Sequence, residues 1–155
     1  MVAMKGFFLT IRTVLVIVLM FTGLSAFSQK TANQLDAWTV QVNNQFRKYE
    51  QQLSLSNQSH EVVTGSLDDE NTEWVVVNLS KGNTYYLLGV CDHDCSDLDL
   101  KLYDSNTLIS EDIASDDYPL VSITPSSDSQ YRVQVVMASC SLSPCRYGLA
   151  IYMKE

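Results

Sequence analysis

Val90-Cys91-Asp92-His93-Asp94-Cys95-Ser96-Asp97-Leu98-Asp99-Leu100-Lys101-Leu102-Tyr103-Asp104 is the stretch on which the fold turns. Two cysteines stand four positions apart, four aspartates fall within eight residues, and a strictly alternating run follows. Leu98, Leu100 and Leu102 take one phase of that run; Asp97, Asp99, Lys101 and Tyr103 take the other. A period of two with one apolar phase is a strand with one dry face and one wet face. Asp104-Ser105-Asn106-Thr107 then reads as a turn, in which Asn106 can accept positive φ.

The stretches on either side repeat this grammar. Upstream, Glu61-Val62-Val63-Thr64 is short and β-branched, with Gly65-Ser66 and Asp68-Asp69-Glu70-Asn71 expected as loops. Trp74-Val75-Val76-Val77-Asn78-Leu79 reads as a strand buried on both faces, and Thr84 to Val90 as the second arm of a hairpin closed by Lys81-Gly82-Asn83. Downstream come a weaker strand from Leu108 to Ile113, an acidic loop to Tyr118, and a short strand from Leu120 to Thr124 between Pro119 and Pro125. Tyr131 to Met137 alternates, with Tyr131, Val133, Val135 and Met137 inward. Tyr147 to Met153 closes the domain, with Tyr147, Leu149, Ile151 and Met153 on one face. The sum is an all-β fold, an antiparallel β-sandwich or jelly roll of about eight strands.

One amphipathic α-helix is expected before the strands. Leu35, Trp38, Val42, Phe46, Tyr49 and Leu53 recur at spacings of three and four, and Thr31 with Gln34 resembles a capping box. Such a stripe packs on its own domain or docks on a partner. Ahead of it, Lys5 and Arg12 precede the apolar run Thr13 to Phe21, and Ala26-Phe27-Ser28 offers small residues at a peptidase's spacing. This reads as a secretory signal peptide over 1–28, cut before Gln29; the alternative is an uncleaved membrane anchor, against which the apolar run is shorter than the roughly 20 residues that span a bilayer. The 155-residue chain thus divides into a leader (1–28), a helix with its linker (29–57) and a β domain (58–155).

Export places the four cysteines, Cys91, Cys95, Cys140 and Cys145, in an oxidising compartment. Three connectivities are open; the local pairs Cys91–Cys95 and Cys140–Cys145 are the expected ones, and crossed pairs would staple the two loops together. When Lys5 and Arg12 leave with the leader, the net charge of −8 becomes −10. That balance opposes nucleic acid and anionic membrane surfaces as partners. It permits cations and basic partners.

Taken in order, several motifs are similar to those of a known family. Gly65-Ser66-Leu67, the Trp74 strand, Lys81-Gly82-Asn83-Thr84-Tyr85, Asp97 to Asp104, Thr124-Pro125 and Tyr131-Arg132-Val133-Gln134-Val135 follow one another as in the bacterial pre-peptidase C-terminal (PPC) domain. The resemblance covers about Glu61 to Met153 and implies a small jelly-roll module, here a free-standing secreted member. Thr107 and Ser129-Gln130 stand where the family commonly has glycine, and the cysteine pairs are not a general family feature.

Asp92, Asp94, Asp97 and Asp99 are the candidate metal ligands. Calcium takes six to eight oxygens, and clustered carboxylates supply them; calcium binding by some members of the resembled family points the same way. The spacing is not that of an EF-hand, having no glycine at the sixth position and no glutamate at the twelfth. The competing reading is a solvated acidic edge that caps turns and deters strand pairing. Zinc on Cys91, His93 and Cys95 is disfavoured once the thiols oxidise. Two histidines, no G-x-S-x-G and no second lobe leave no catalytic residue to name. Tyr86, Tyr103 and Tyr118 are candidates for a binding face, Tyr131 and Tyr147 for the core, and Arg132 and Arg146 for pairing with the acidic loops.

The function expected from this is an exported, non-catalytic binding or stabilising module with a protein or polysaccharide partner, stabilised by calcium if any cofactor is used. The alternative is an assembly protein whose helix mediates oligomers or docking. A small hydrolase ranks third.

Overall fold

The computed structural model describes residues 37–154, with eight strands after one helix. The leader, the Thr31–Gln34 capping box and Leu35 lie outside the described residues. The helix, α1, covers residues 37–53, and the chain leaves it at Ser54 through a left-handed turn with φ 56°. The strands are β1 (Val63–Leu67), β2 (Thr72–Leu79), β3 (Thr84–Cys91), β4 (Cys95–Asp104), β5 (Thr107–Asp112), β6 (Leu120–Ile123), β7 (Ser129–Cys140) and β8 (Cys145–Lys154). They form two four-stranded antiparallel sheets, β1-β8-β3-β6 and β2-β7-β4-β5, packed as a β-sandwich.

The inward phases read from the sequence build the core. Leu98, Leu100 and Leu102 of β4 meet Val133, Val135 and Met137 of β7 and Leu87, Leu149 and Ile151 of the facing sheet. Burying each such side chain is worth about 1.5–3 kcal/mol, so this interior holds the sandwich together.

A second apolar cluster lies on the outer face of the β1-β8-β3-β6 sheet. There α1 lays Val42, Phe46 and Tyr49 over Leu88, Val90, Ala150 and Tyr152. The helical stripe therefore packs on its own domain, and β3 is the strand buried on both faces. Gly148 makes the close approach possible: a Cβ there would stand 2.6 Å from the Phe46 ring and 2.9 Å from Val42. The Tyr152 hydroxyl donates to Glu50 at 2.6 Å and fastens the helix from below.

Several local expectations are corrected. β2 is buried on one face only, with Trp74 46% and Val76 52% exposed. β2 and β3 are not a hairpin; Lys81-Gly82-Asn83 carries the chain from one sheet to the other, with Gly82 at φ 82°. Gly65 and Ser66 lie inside β1, where Gly65 admits the Tyr147 ring. In the β4–β5 hairpin it is Ser105, with φ 55°, that takes the left-handed conformation Asn106 could also have accepted.

Candidate functional site

Four loops gather at one end of the sandwich, those joining β1 to β2, β3 to β4, β5 to β6, and β7 to β8. Both disulfides are there and both are local, Cys91–Cys95 and Cys140–Cys145. With Cys91 and Cys95 joined, neither sulfur is a thiolate for zinc.

Most acidic residues of this end serve the backbone. Asp92 is only 1% exposed; Oδ1 accepts from the Asp94 amide at 3.3 Å and Oδ2 from the Arg146 amide at 2.8 Å. Asp69 accepts from the Cys140 amide at 2.7 Å. Asp112 accepts from the amides of Ala114 and Leu120, and Asp116 from that of Tyr118. Each carboxylate satisfies loop amides that would otherwise be stranded, the ordinary work of aspartate in turns.

The structure thus divides the four candidate metal ligands. Asp92 has both oxygens engaged, and Asp94 supplies its main-chain carbonyl to the Ser141 amide and hydroxyl. Asp97 and Asp99 stand instead on the outer phase of β4. One oxygen of Asp97 is buried without a hydrogen-bond partner. Burial pushes the Asp97 carboxyl above the ordinary carboxylate range; Asp116 adds to the rise and Ser115 opposes it. Burial also raises Asp99, with Asp97 next in effect. Among the described residues, no three His, Cys, Asp or Glu side chains converge in a way that would hold a metal ion.

The two imidazoles are at opposite ends of the sandwich. His60 Nε2 lies 3.0 Å from the Asn78 carbonyl oxygen and Nδ1 2.8 Å from the Ser59 hydroxyl. His93 is exposed in the β3–β4 loop, its amide donating to Gln41.

The outer face of the β2-β7-β4-β5 sheet is a different kind of surface. Register sets Trp74 beside Gln134 and Lys101, and Val76 beside Arg132 and Tyr103. The Trp74 and Tyr103 rings meet edge to face across β7, with centroids 5.3 Å apart. The Arg132 guanidinium lies over the Trp74 ring at 4.8 Å and donates to the Ser105 carbonyl and Asn106 Oδ1, which fixes it in place. Leu108, Ile109 and Ile113 continue the apolar surface on and beyond β5, each more than 40% exposed.

Of the tyrosines proposed for a binding face, Tyr103 alone belongs to this surface. Tyr118 stacks on Tyr49 at 4.0 Å, and Tyr86 packs under α1. The two arginines cover tryptophans rather than pairing with acidic loops: Arg132 lies over Trp74 and Arg146 over Trp38, at 4.7 Å. That Trp74 and Arg132 share an exposed face was missed because the run Trp74 to Val77 hides its alternation. The signal present was Thr72, Trp74, Val76 and Asn78 in one phase, with a polar residue at each end.

No protein-family model and no curated protein matches the chain. Among solved structures it is similar to the pre-peptidase C-terminal domain of a collagenase from Bacillus anthracis, with 12% identity, a TM-score of 0.47, and coverage of 61% of this chain and 89% of that one. It is also similar to PliG from Aeromonas hydrophila, a periplasmic lysozyme inhibitor of g-type lysozyme, with 13% identity, a TM-score of 0.45, and coverage of 61% and 85%. Nothing about partner or activity is carried to this chain from either. Among the described residues no helix is long and apolar enough to cross a membrane.

Proposed function

We propose that the protein is an exported, non-catalytic binding module whose partner is a protein, engaged through the outer face of the β2-β7-β4-β5 sheet. One observation carries this reading. The two sheets have the same number of strands, yet α1 covers the outer face of one while the other displays Trp74, Val76, Tyr103 and Arg132. Trp, Tyr and Arg are the residue types that dominate protein interfaces: the rings add large contact area and a polar handle at low entropic cost, and the guanidinium adds a fixed fork of donors. The geometry favours protein over polysaccharide: one face of Trp74 is taken by Arg132 and the Tyr103 ring is steeply inclined to it, so no coplanar aromatic platform is offered. Export rests on the leader-like 1–28 segment and on two disulfides, which persist in oxidising compartments.

The test is affinity capture from the envelope or medium of the producing cell, followed by titration with the purified partner. Trp74→Ala and Tyr103→Ala should each weaken binding at least tenfold, the effect of about 1.4 kcal/mol. Binding that survives both substitutions, or a polysaccharide that binds while no protein does, overturns the reading.

A further inference from the structure

The partner reading uses the side chains of β2; its free edge leads to a separate conclusion. β2 is an edge strand paired on one side with β7. The Met137 amide and carbonyl both bond toward the β2 side, so Glu73, Val75, Val77 and Leu79 bond to β7, and the amides and carbonyls of Thr72, Trp74, Val76 and Asn78 point outward. His60 lies on the Asn78 carbonyl at 3.0 Å and closes one end. Thr72, Trp74 and Val76 remain, with nothing among the described residues hydrogen-bonded to their outward groups.

Natural edges are normally blunted by charge, proline, a bulge or shortness. The other edges here are. β5 carries Glu111 and Asp112 and faces a register shift at Leu102/Tyr103; β6 has four residues; β1 has Gly65 at its centre. β2 runs eight residues in unbroken register with no proline, and its one charged residue, Glu73, bonds to β7 through its backbone and accepts from the Tyr147 hydroxyl through its side chain, which leaves the outward groups of Thr72, Trp74 and Val76 uncovered.

We infer that this edge pairs with a second copy of itself, antiparallel about a two-fold axis at Trp74. The three free residues are centred on Trp74, so the axis sets Trp74 opposite Trp74 and Thr72 opposite Val76, using every free group on both copies. About six hydrogen bonds form, two per facing pair. Glu73 falls opposite Val75, not opposite its own copy, so no like charges directly oppose each other. The same register sets Asp68 of each copy opposite Ser80 of the other, one residue from Lys81, whose amide is held by Asp128. The two sheets become one of eight strands with two Trp74–Arg132–Tyr103 clusters on a single face, an arrangement that confers avidity on a partner with repeated sites.

Val76→Pro tests the pairing, because it removes an outward N–H that the β2–β7 ladder does not use. Sedimentation of the purified protein over a concentration series should give a dimer mass that falls to the monomer on dilution. Val76→Pro should be a monomer at all concentrations, and Tyr103→Ala, two strands inward, should still dimerise. Register is read separately with Trp74→Cys. Hydrogen-bonded antiparallel partners have Cα atoms about 5.5 Å apart, within reach of a disulfide. Trp74→Cys should therefore cross-link to itself on oxidation and Val76→Cys should not. A wild-type monomer up to its solubility limit overturns the inference, as does a Val76→Pro dimer. If Val76→Pro does not fold, a Trp74→Cys chain that stays monomeric on oxidation overturns it. A foreign strand found on β2 in place of the second copy does so too.

Discussion

The Tyr49 hydroxyl donates to Asp117 at 2.7 Å, joining the C-terminal part of α1 to the β5–β6 loop more than sixty residues away. The same loop supplies Tyr118, stacked on the Tyr49 ring at 4.0 Å, and Asp117 also accepts from Gln45 at 3.2 Å. Tyr49→Phe keeps the stack and removes two charge-assisted bonds, the one to Asp117 and the one the same hydroxyl accepts from the Lys48 ammonium. It should lower stability by about 1.5–3 kcal/mol in a denaturant titration, the usual contribution of a hydrogen bond to a charged group. A loss within error would show that Gln45 and water replace the hydroxyl without cost.

Alkaline pH should unfold the protein through its buried phenols. Tyr49, Tyr147 and Tyr152 each donate to a carboxylate, Asp117, Glu73 and Glu50 respectively. Burial first, then that hydrogen bond and the carboxylate's charge, push all three phenols above their ordinary value. Above about pH 10 the unfolded chain releases phenolic protons that the folded chain keeps. The stabilisation from these groups is thus complete below the ordinary phenol value and falls as pH rises beyond it. Melting temperature followed from neutral pH upward should hold and then drop steeply. Tyr152→Phe should make the drop shallower; an unchanged slope would remove Tyr152 from the account.

Asp97 is expected to weaken the fold when ionised. Its folded carboxyl titrates above the unfolded one, so protonation favours the folded state. Stability from this group rises as pH falls through its raised value and levels off below the ordinary carboxylate range. Asp97→Asn should therefore raise the melting temperature at neutral pH and lose that advantage in acid. Calcium and magnesium should shift the wild-type melt alike, because the candidate carboxylates do not converge on a common point. A rise specific to calcium and absent in Asp97→Asn would reverse this prediction.

Gly148→Ala tests how closely the helix must sit. The added methyl would press on the Phe46 ring and Val42 from beneath, in a buried layer with no slack. Overpacking of this kind costs about 1–3 kcal/mol. The loss should be relieved in Gly148→Ala/Phe46→Leu; an equal loss in the double variant would place the strain elsewhere.

Much of this architecture was legible in short-range pattern. Leu98, Leu100 and Leu102 show their phase by alternation, and Val42, Phe46 and Tyr49 show theirs by helical spacing, because each pattern is fixed by local geometry. What alternation does not encode is which sheet a strand joins. β2 and β3 are neighbours in sequence with a turn between them, yet each finds its partners at the far end of the chain, in β7 and β8. The error about Trp74 has the same source: whether a β-branched run is covered on one face or two depends on where α1 lies, and α1 covers β3. The aspartates were conspicuous, but their composition does not separate metal ligands from turn caps; only the amides of Asp94 and Arg146 show what Asp92 does.

In the β4–β7 register Cys95 stands directly opposite Cys140, although each is bonded within its own loop. Paired strand residues have Cα atoms about 4.5–5.5 Å apart, within disulfide range. Completing the β2-β7-β4-β5 sheet therefore brings together two sulfurs that belong to different bonds. If the strands dock before the loops oxidise, the crossed Cys95–Cys140 bond is a ready alternative, and it leaves Cys91 and Cys145, both buried in the same core, as the remaining pair. Loops oxidising before the sheet would lead straight to the local pairs, whereas sheet before loops would reach them only through thiol–disulfide exchange.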